Sequence, residues 1–206
     1  MRRASKRVVL RTVVWLGLGC LYALPFLNVQ GAFDAFLKID GVPGESTDSS
    51  HFKWIDIRSF HHGVSQPAGG VQSAGAVGLI PTEPTAKAEP LTISKPLDCA
   101  SPKLMLSCCN GEPIGPVQLE LVRPSDRRTF YKITLSDVIV SSVSPGGSSG
   151  GDQVPTEQVS LNFGKIEVEY DYIDPVTGAV TPIRTFWDFV SNSGGEILVP
   201  PPPAGE

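Results

Sequence analysis

The chain has 206 residues, 41% of them hydrophobic, and a formal net charge of −4. This length suits one domain with appendages and is enough to bury a core without cross-links. The 21 glycines and 19 prolines cluster between candidate strands, which is typical of an all-β chain with turn-rich connections. Internal repeats are absent.

Residues 1–31 have the layout of a secretory signal. Five basic residues precede an apolar run from Thr12 to Leu27, and small residues at Val29 and Gly31 suit cleavage before Ala32. The basic residues are Arg2, Arg3, Lys6, Arg7 and Arg11. Two alternatives stay open. One is an uncleaved anchor, because the run approaches the ~17–25 residues that span a bilayer; the other is a mis-called start, with Val29 as the true first codon.

The charge of the mature chain argues against nucleic acid as a partner. Loss of residues 1–31 removes five basic residues and no acidic ones, so the net charge falls from −4 to −9. Phosphate contacts need clustered Lys and Arg. We therefore expect no nucleic-acid partner, no membrane contact after signal removal, and an exported protein, periplasmic or extracellular. A mis-called start would instead leave the chain to assemble in the cytoplasm.

Alternating apolar residues predict the first strands. Residues 33–39 form one strand, and a second begins near Trp54 and continues through a bend to Ser65. The connection from Gln66 to Pro90 is rich in Gly, Ala and Pro and has no period. Such long connections are usually functional or disordered, so we interpret this one as an arm. Residues 91–94 form a short third strand.

One helix is predicted after the N-terminal region. Ser101 can cap it, Pro102 suits its first position, and Gly111 can end it in the left-handed conformation. Its apolar residues predict burial over most of its circumference. They are Leu104, Met105, Leu106, Cys108 and Cys109.

Three cysteines lie in or beside this helix, at positions 99, 108 and 109. Their odd number and adjacency do not fit a disulfide framework, and their spacing does not fit a metal site. We expect small buried side chains.

Further strands are predicted at 117–121, at 131–140 with a slip near Asp137, and at 159–172. The inward parity reverses at Gly164-Lys165, which we interpret as a β-bulge. Residues 174–178 form a turn and 183–189 a last strand. Beyond Asn192, glycines and the four prolines Pro200 to Pro203 predict a tail, 194–206, that does not pack.

Catalytic chemistry is not predicted. The run Gly146 to Gly150 matches a nucleophile elbow by letters, but such an elbow needs a strand turning into a helix, and strands are predicted on both sides. His51, His61 and His62 lack the spacing to carboxylates or cysteines that a metal site or triad would require. We expect no catalytic, metal or cofactor-binding residue; a hydrolase centred on Ser148 is the enzyme alternative.

Separated blocks of the sequence resemble the haemolysin-coregulated protein (Hcp) family of type VI secretion tube proteins, from about Phe33 to Asn192. These blocks are Phe36 to Gly41, Gly44-Glu45-Ser46, Gly63 to Gln66, Lys95 to Asn110, Ile139 to Val143 and Val159 to Phe163.

The resemblance implies a mainly β fold: a β-barrel of two sheets, spanning 32–193, with one short α-helix packed on its side. It also implies a hexameric ring that stacks into the inner tube of a contractile machine, alongside other machine components, with small effector proteins carried in the lumen. Ring-stacking contacts are expected at Gly41, Gly44, Glu45, Ser46 and Gln66. The lumen is expected near Ser59 and His61.

The N-terminal segment, residues 1–31, and Cys99 depart from the family pattern. Family tube subunits are loaded from the cytoplasm and start just before the first strand, so an export signal in residues 1–31 would separate this chain from the sheath. The alternative function is therefore an exported binding module at the cell surface or outside the cell. Cys99 stands where the family more often has lysine.

Overall fold

A computed structural model describes residues 33–66, 85–150 and 154–198. Among these residues there are thirteen strands and one helix. In chain order they are β1 Asp34–Ile39, β2 Ile55–Ile57, β3 Ser59–His61, β4 Val64–Ser65, β5 Lys87–Ala88, β6 Leu91–Pro96, α1 Ser101–Asn110, β7 Val117–Val122, β8 Thr129–Ser136, β9 Ile139–Gly146, β10 Thr156–Asn162, β11 Lys165–Ile173, β12 Val180–Asp188 and β13 Ser193–Ile197.

Two antiparallel sheets make up the body of the protein. The larger has seven strands in the order β13-β12-β11-β8-β7-β1-β2, and the smaller has four in the order β3-β6-β10-β9. A two-stranded ladder, β4-β5, stands apart at the base of the arm. The predicted mainly β fold of two sheets with one helix is confirmed, although neither sheet closes on itself.

The core lies between the two sheets. Alternate residues of β1 and β7 point inward from the larger sheet, and alternate residues of β6 and β10 meet them from the smaller one. Strand side chains alternate between faces, so each strand supplies an apolar residue at every second position. The central buried residues are Leu37, Leu119, Ile133, Ile93 and Leu161, each with at most 1% of its surface exposed.

The helix is present, but its predicted N-cap is wrong. Ala100, not Ser101, is the N-cap, and the helix has no side-chain cap hydrogen bond. The Ser101 hydroxyl instead contacts Lys95 and Glu157. Gly111 does end the helix, with φ of +67°.

Burial of the helix is also less than predicted. Of its ten residues, all described, only Leu104 is buried, while Met105 and Leu106 are 48% and 64% exposed. Cys99 and Cys109 are exposed as well, and only Cys108 packs partly against the core. The helix packs on β9 along one narrow side. Its short apolar run therefore did not imply burial around the whole helix.

No helix in residues 33–66, 85–150 and 154–198 is long and apolar enough to cross a membrane.

The irregularities seen in the strand pattern are places where the chain changes sheet. Arg58 separates β2 from β3, Asp137 separates β8 from β9 with φ of +56°, and residues 163–164 separate β10 from β11. The predicted β-bulge at Gly164-Lys165 is therefore wrong. Parity reverses there because the two sheets face each other, so the inward side of one is the outward side of the other. The Gly164 amide donates to the Ser136 carbonyl at 3.1 Å, which joins two of these crossings at one corner.

Strands β11 to β13 form a region that we call the wing. Their residues are mostly half-buried or exposed, in contrast to the buried faces of β1 and β7. β13 pairs with β12 from Arg184↔Ile197 to Asp188↔Ser193. The prediction that the chain does not pack beyond Asn192 is thus wrong for residues 193–197. Residues 1–32, residues 67–84 of the predicted arm and residues 199–206 of the predicted tail lie outside the described part.

Candidate functional site

The loop predicted to stack rings, residues 41–50, folds back as an irregular hairpin against Lys53 and Trp54. The Gly44 amide donates to the Lys53 carbonyl at 2.8 Å and the Ser46 amide to the Trp54 carbonyl at 3.0 Å. A Cβ on Gly44 would lie 2.4 Å from the Trp54 carbonyl oxygen, so only glycine allows this close approach.

The five stacking candidates are not equivalent. Gly44 and Ser46 are buried within the subunit and maintain the shape of the loop. Gly41 and Glu45 are exposed on the same loop, and Gly41 has a φ of +79°. Gln66 is exposed but belongs to a different place, the base of the arm after β4.

Residues at the start of the helix form hydrogen bonds with this loop. The Cys99 amide donates to Glu45 Oε1 at 3.0 Å, and Lys103 Nζ donates to the Gly41 carbonyl at 2.9 Å. The Cys99 thiol lies 3.2 Å from the Pro43 carbonyl oxygen. The loop and the helix start therefore form one surface of the subunit.

A buried histidine holds the other end of the loop. His51 is 3% exposed; its Nδ1 lies 2.8 Å from Asp48 Oδ1 and its Nε2 lies 3.0 Å from Glu120 Oε2. Its ring stacks on Phe36 at 4.2 Å and meets Trp54 edge-on. Each ring nitrogen of His51 therefore lies within hydrogen-bond distance of a different carboxylate.

Glu120 is the anchor of this cluster on β7. Burial raises the pKa of its carboxyl, but hydrogen bonds from His51 and Thr129 and the charge of Lys132 lower it by more, so the pKa lies below its ordinary value. Gln118 also donates to this carboxylate. The group is therefore ionised at neutral pH and fixes the loop to the larger sheet.

This cluster was not predicted, because the histidines were expected to lack suitably spaced carboxylates. Asp48 lies three residues before His51, and its Oδ1 also accepts from the amides of Ser50 and His51 at 3.0 Å each. An Asp followed by a turn and a His was the local signal that could have indicated this contact. Glu120, 69 residues away, had no signal in the sequence.

An open groove of about 440 Å³ runs beside the loop. Arg127, from the β7–β8 turn, reaches across it and contacts both Asp34 and Asp48. The groove is lined by Phe33, Asp34, Ala35, Phe36, Ser46, Thr47, Asp48, Asp56, Ile57 and Arg127.

The lumen candidates lie elsewhere, on β3 at one edge of the smaller sheet. Ser59 and His61 are both exposed, and His61 Nε2 lies 3.8 Å from Glu89 Oε2. The neighbouring His62 is half-buried, and desolvation lowers the pKa of its imidazole. The structure thus separates the lumen candidates from the stacking loop and places them on a strand edge.

Ser148 has no elbow geometry. Strand β9 ends at Gly146, and Ser148 lies in the exposed connection between β9 and β10. No helix follows it in the described residues up to 150 and from 154. The Gly146 to Gly150 match is a hairpin connection.

Comparison with known proteins gives one family throughout. The family described as "Type VI secretion system effector, Hcp" matches residues 36–170. Protein hcp1 of Pseudomonas aeruginosa is 36% identical over 141 residues, which cover 68% of this chain and 83% of that protein.

Solved structures agree with this result. A type six secretion system protein superposes with a TM-score of 0.70 at 29% identity, covering 80% of this chain and 100% of that one. Hcp1 from Salmonella typhimurium gives a TM-score of 0.63 at 31% identity, covering 81% and 100%. With a family match over most of the folded region and the same two-sheet architecture, the chain belongs to the Hcp family of the type VI secretion system.

Proposed function

We propose that this protein is a structural, non-enzymatic subunit of a hexameric ring that stacks into a type VI secretion inner tube and carries small effectors in its lumen. The observation that carries the proposal is the Hcp family match joined to two sheets that remain open. Open sheet edges present backbone groups that a second copy can pair with, and head-to-tail pairing closes into a ring when the rotation permits.

The two larger sheets offer four such edges among the described residues. The larger sheet ends at β2 and β13, and the smaller ends at β3 and β9. Exposed apolar residues on the wing add contact area beside the β13 edge. They are Tyr170, Tyr172 and Ile183, each 42–52% exposed.

We assign ring-to-ring contacts to the surface of the 41–50 loop, with Gly41 and Glu45 as its exposed members. Gly44 and Ser46 support this surface from below, and Gln66 contributes from the base of the arm. Ser59 and His61, on an exposed strand edge, are the proposed lumen residues.

Sedimentation of the purified protein across a salt series tests the ring. A hexamer of residues 32–206 would carry six times the subunit charge of −9, so we expect rings at all salt concentrations and stacking that strengthens as salt screens the repulsion. Electron microscopy should then show cylinders with a bore. A monomer at every ionic strength would defeat the proposal.

Two variants that each remove one negative charge locate the stacking surface. Glu45→Gln should increase stacking at low salt, because it removes six like charges from each proposed ring face. Glu112→Gln makes the same change beyond the far end of the helix, where Glu112 accepts from Asn110, and should leave stacking unchanged. Equal effects from both variants would move the stacking surface away from the loop.

The second candidate function, an exported binding module, is favoured by the basic and apolar pattern of residues 1–31. Fractionation of cells followed by N-terminal sequencing separates the two. A mature chain beginning at Ala32 outside the cytoplasm, combined with single unstacked rings or monomers, would favour the binding module.

A further inference from the structure

An apolar groove of about 410 Å³ separates the wing from the segment that joins β3 to β4. Trp187 and Ile166, paired across β12 and β11, form its base. Val168 and Val64 line its sides. Its size lies within the range of sites that bind small ligands or short peptide segments.

A residue that lines the groove carries an unpaired hydrogen-bond donor. The Trp187 indole Nε1 is buried and has no hydrogen-bond partner among the described residues. A buried indole N–H normally finds an acceptor, and the indole has no acceptor of its own to offer. An occupant that presents a carbonyl oxygen beside the indole would supply the missing acceptor.

Glycine at position 194 makes the approach over the indole possible. Gly194 lies opposite Trp187 in the β12–β13 pairing, and a Cβ there would meet Trp187 Cε3 at 2.4 Å. Strand β13 therefore lies close against the six-membered ring of Trp187 beside the groove.

The chain itself carries a segment of the matching chemistry. Strand β13 ends at Ile197, Leu198 is 89% exposed, and the sequence continues as Val199 and four prolines, Pro200 to Pro203. Proline runs favour the polyproline II conformation, whose free carbonyls and ring faces bind in grooves lined by aromatic residues. No other run of four prolines occurs in the sequence.

We propose that the groove beside Trp187 binds the proline-rich C-terminal segment, residues 199–206, of a second copy of the chain. A return to the subunit's own groove would need a reversal directly after β13. Pro200 biases Val199 toward extended backbone, and consecutive prolines disfavour a tight turn. In the polyproline II conformation, at about 3.1 Å per residue, four prolines span about 12 Å, which would allow this segment to reach a neighbouring subunit.

The indole N–H signal of Trp187 in a ¹⁵N–¹H spectrum reports occupation directly, and Trp187→Phe identifies the signal. We expect the signal to move when all four prolines are replaced by Ser in the full chain. A synthetic peptide of residues 196–206 added to that variant should restore it. An unmoved signal, or no response to the peptide, would overturn the proposal.

Matched variants test the contact itself. Trp187→Phe keeps an aromatic ring but removes the donor, and should weaken peptide binding about three- to tenfold, the value of one hydrogen bond. Thr185→Phe should fill the groove and abolish binding. Thr181 lies four residues earlier on the same strand and does not line the groove, so Thr181→Phe should bind the peptide as the parent does. An equal loss of peptide binding in Thr181→Phe and Thr185→Phe would count against the groove as the binding site.

Isotope mixing shows which copy supplies the segment. Benzoylphenylalanine in place of Ala204, in a mixture of ¹⁵N-labelled and unlabelled protein, should give crosslinks between labelled and unlabelled chains at β11 to β13. Crosslinks only within one chain, or only to other surfaces, would overturn the proposal. The ring proposal is judged separately, because sedimentation of the four-Ser variant reports whether hexamers persist without the proline contact.

Discussion

Two charged clusters in this protein use the same chemistry in different settings. In the first, Lys95 is fully buried and its ammonium lies 2.7 Å from both Asp98 and Glu157. It also donates to the Pro96 carbonyl at 2.9 Å and the Ser101 hydroxyl at 3.2 Å. This cluster joins β6, β10 and the start of α1. The second cluster, around His51, joins a loop to β7 and borders an open groove.

The two clusters hold different parts of the molecule in place. The ligands of Lys95 come from paired strands and the helix start, so its loss should affect the whole fold. The ligands of His51 come from an exposed loop on one side and a strand on the other, so its loss should release the loop while the sheets remain. The following predictions test this distinction, from the largest expected effect to the smallest.

Lys95→Ala should destabilise the subunit by about 3–5 kcal/mol, because it leaves the Glu157 carboxylate buried without its cation. Urea unfolding measures the loss. The double variant Lys95→Met with Glu157→Leu should recover much of it, since two apolar residues leave no unpaired charge. A loss under 1 kcal/mol in the single variant would show that the cluster does not stabilise the start of the helix.

His51→Phe should cost about 2 kcal/mol, because the ring can still stack on Phe36 but both carboxylates lose a hydrogen-bond partner. Hydrogen exchange should rise in residues 41–50 and stay low in β1 and β7. Under the proposed function, stacking should weaken while rings persist. Uniformly faster exchange through the core would show that His51 supports the whole fold, as Lys95 does.

Glu120 gives the His51 cluster an acid dependence. Because its pKa in the folded protein lies below the ordinary value of 4.5, its stabilising effect is complete above pH 4.5 and is lost as the pH falls through the folded pKa. Urea unfolding from pH 7 to pH 3 should show this loss. In Glu120→Gln the free energy of unfolding should be lower at pH 7 and should fall less steeply below pH 4.5. Parallel curves of unfolding free energy against pH for the variant and the parent would exclude Glu120 as a source of the acid dependence.

Arg127→Ala should have the smallest effect, below about 1 kcal/mol. Its side chain is 47% exposed, and ion pairs in contact with solvent contribute little. Thermal unfolding at low salt measures the difference, which should vanish near 1 M salt as screening increases. A larger loss that persists at high salt would place Arg127 among the structural residues of the loop.

The sequence indicated the strands with strict alternation, as in β1 and β7, because their two faces meet different surroundings. It also located the helix and its end at Gly111, where a left-handed residue is needed. It failed for Met105, Leu106 and the cysteines, since apolar character alone does not say which side of a short helix a sheet covers. Strand β13 was not predicted from the sequence, because Gly194 and Gly195 weaken the alternating pattern of a strand. Gly194 is nevertheless required there, since β13 approaches Trp187 closely.

For the candidate site, the sequence supplied the loop and strand positions through family resemblance, but not the roles within them. Gly44 and Ser46 proved to support the loop from inside, whereas Gly41 and Glu45 are exposed. This division depends on Lys53 and Trp54 folding over the loop, which no local pattern encodes.

By itself, the order of residues determined the mainly β class, the family and the position of the helix, since these follow from short-range periodicity and local motifs. Only the tertiary structure decided where the chain changes sheets, which carboxylates enclose His51 and Lys95, and how Trp187 comes to border a groove. The physical reason is distance along the chain: partners such as His51 and Glu120 lie 69 residues apart, and their contact exists only after strand pairing brings the loop and the sheet together.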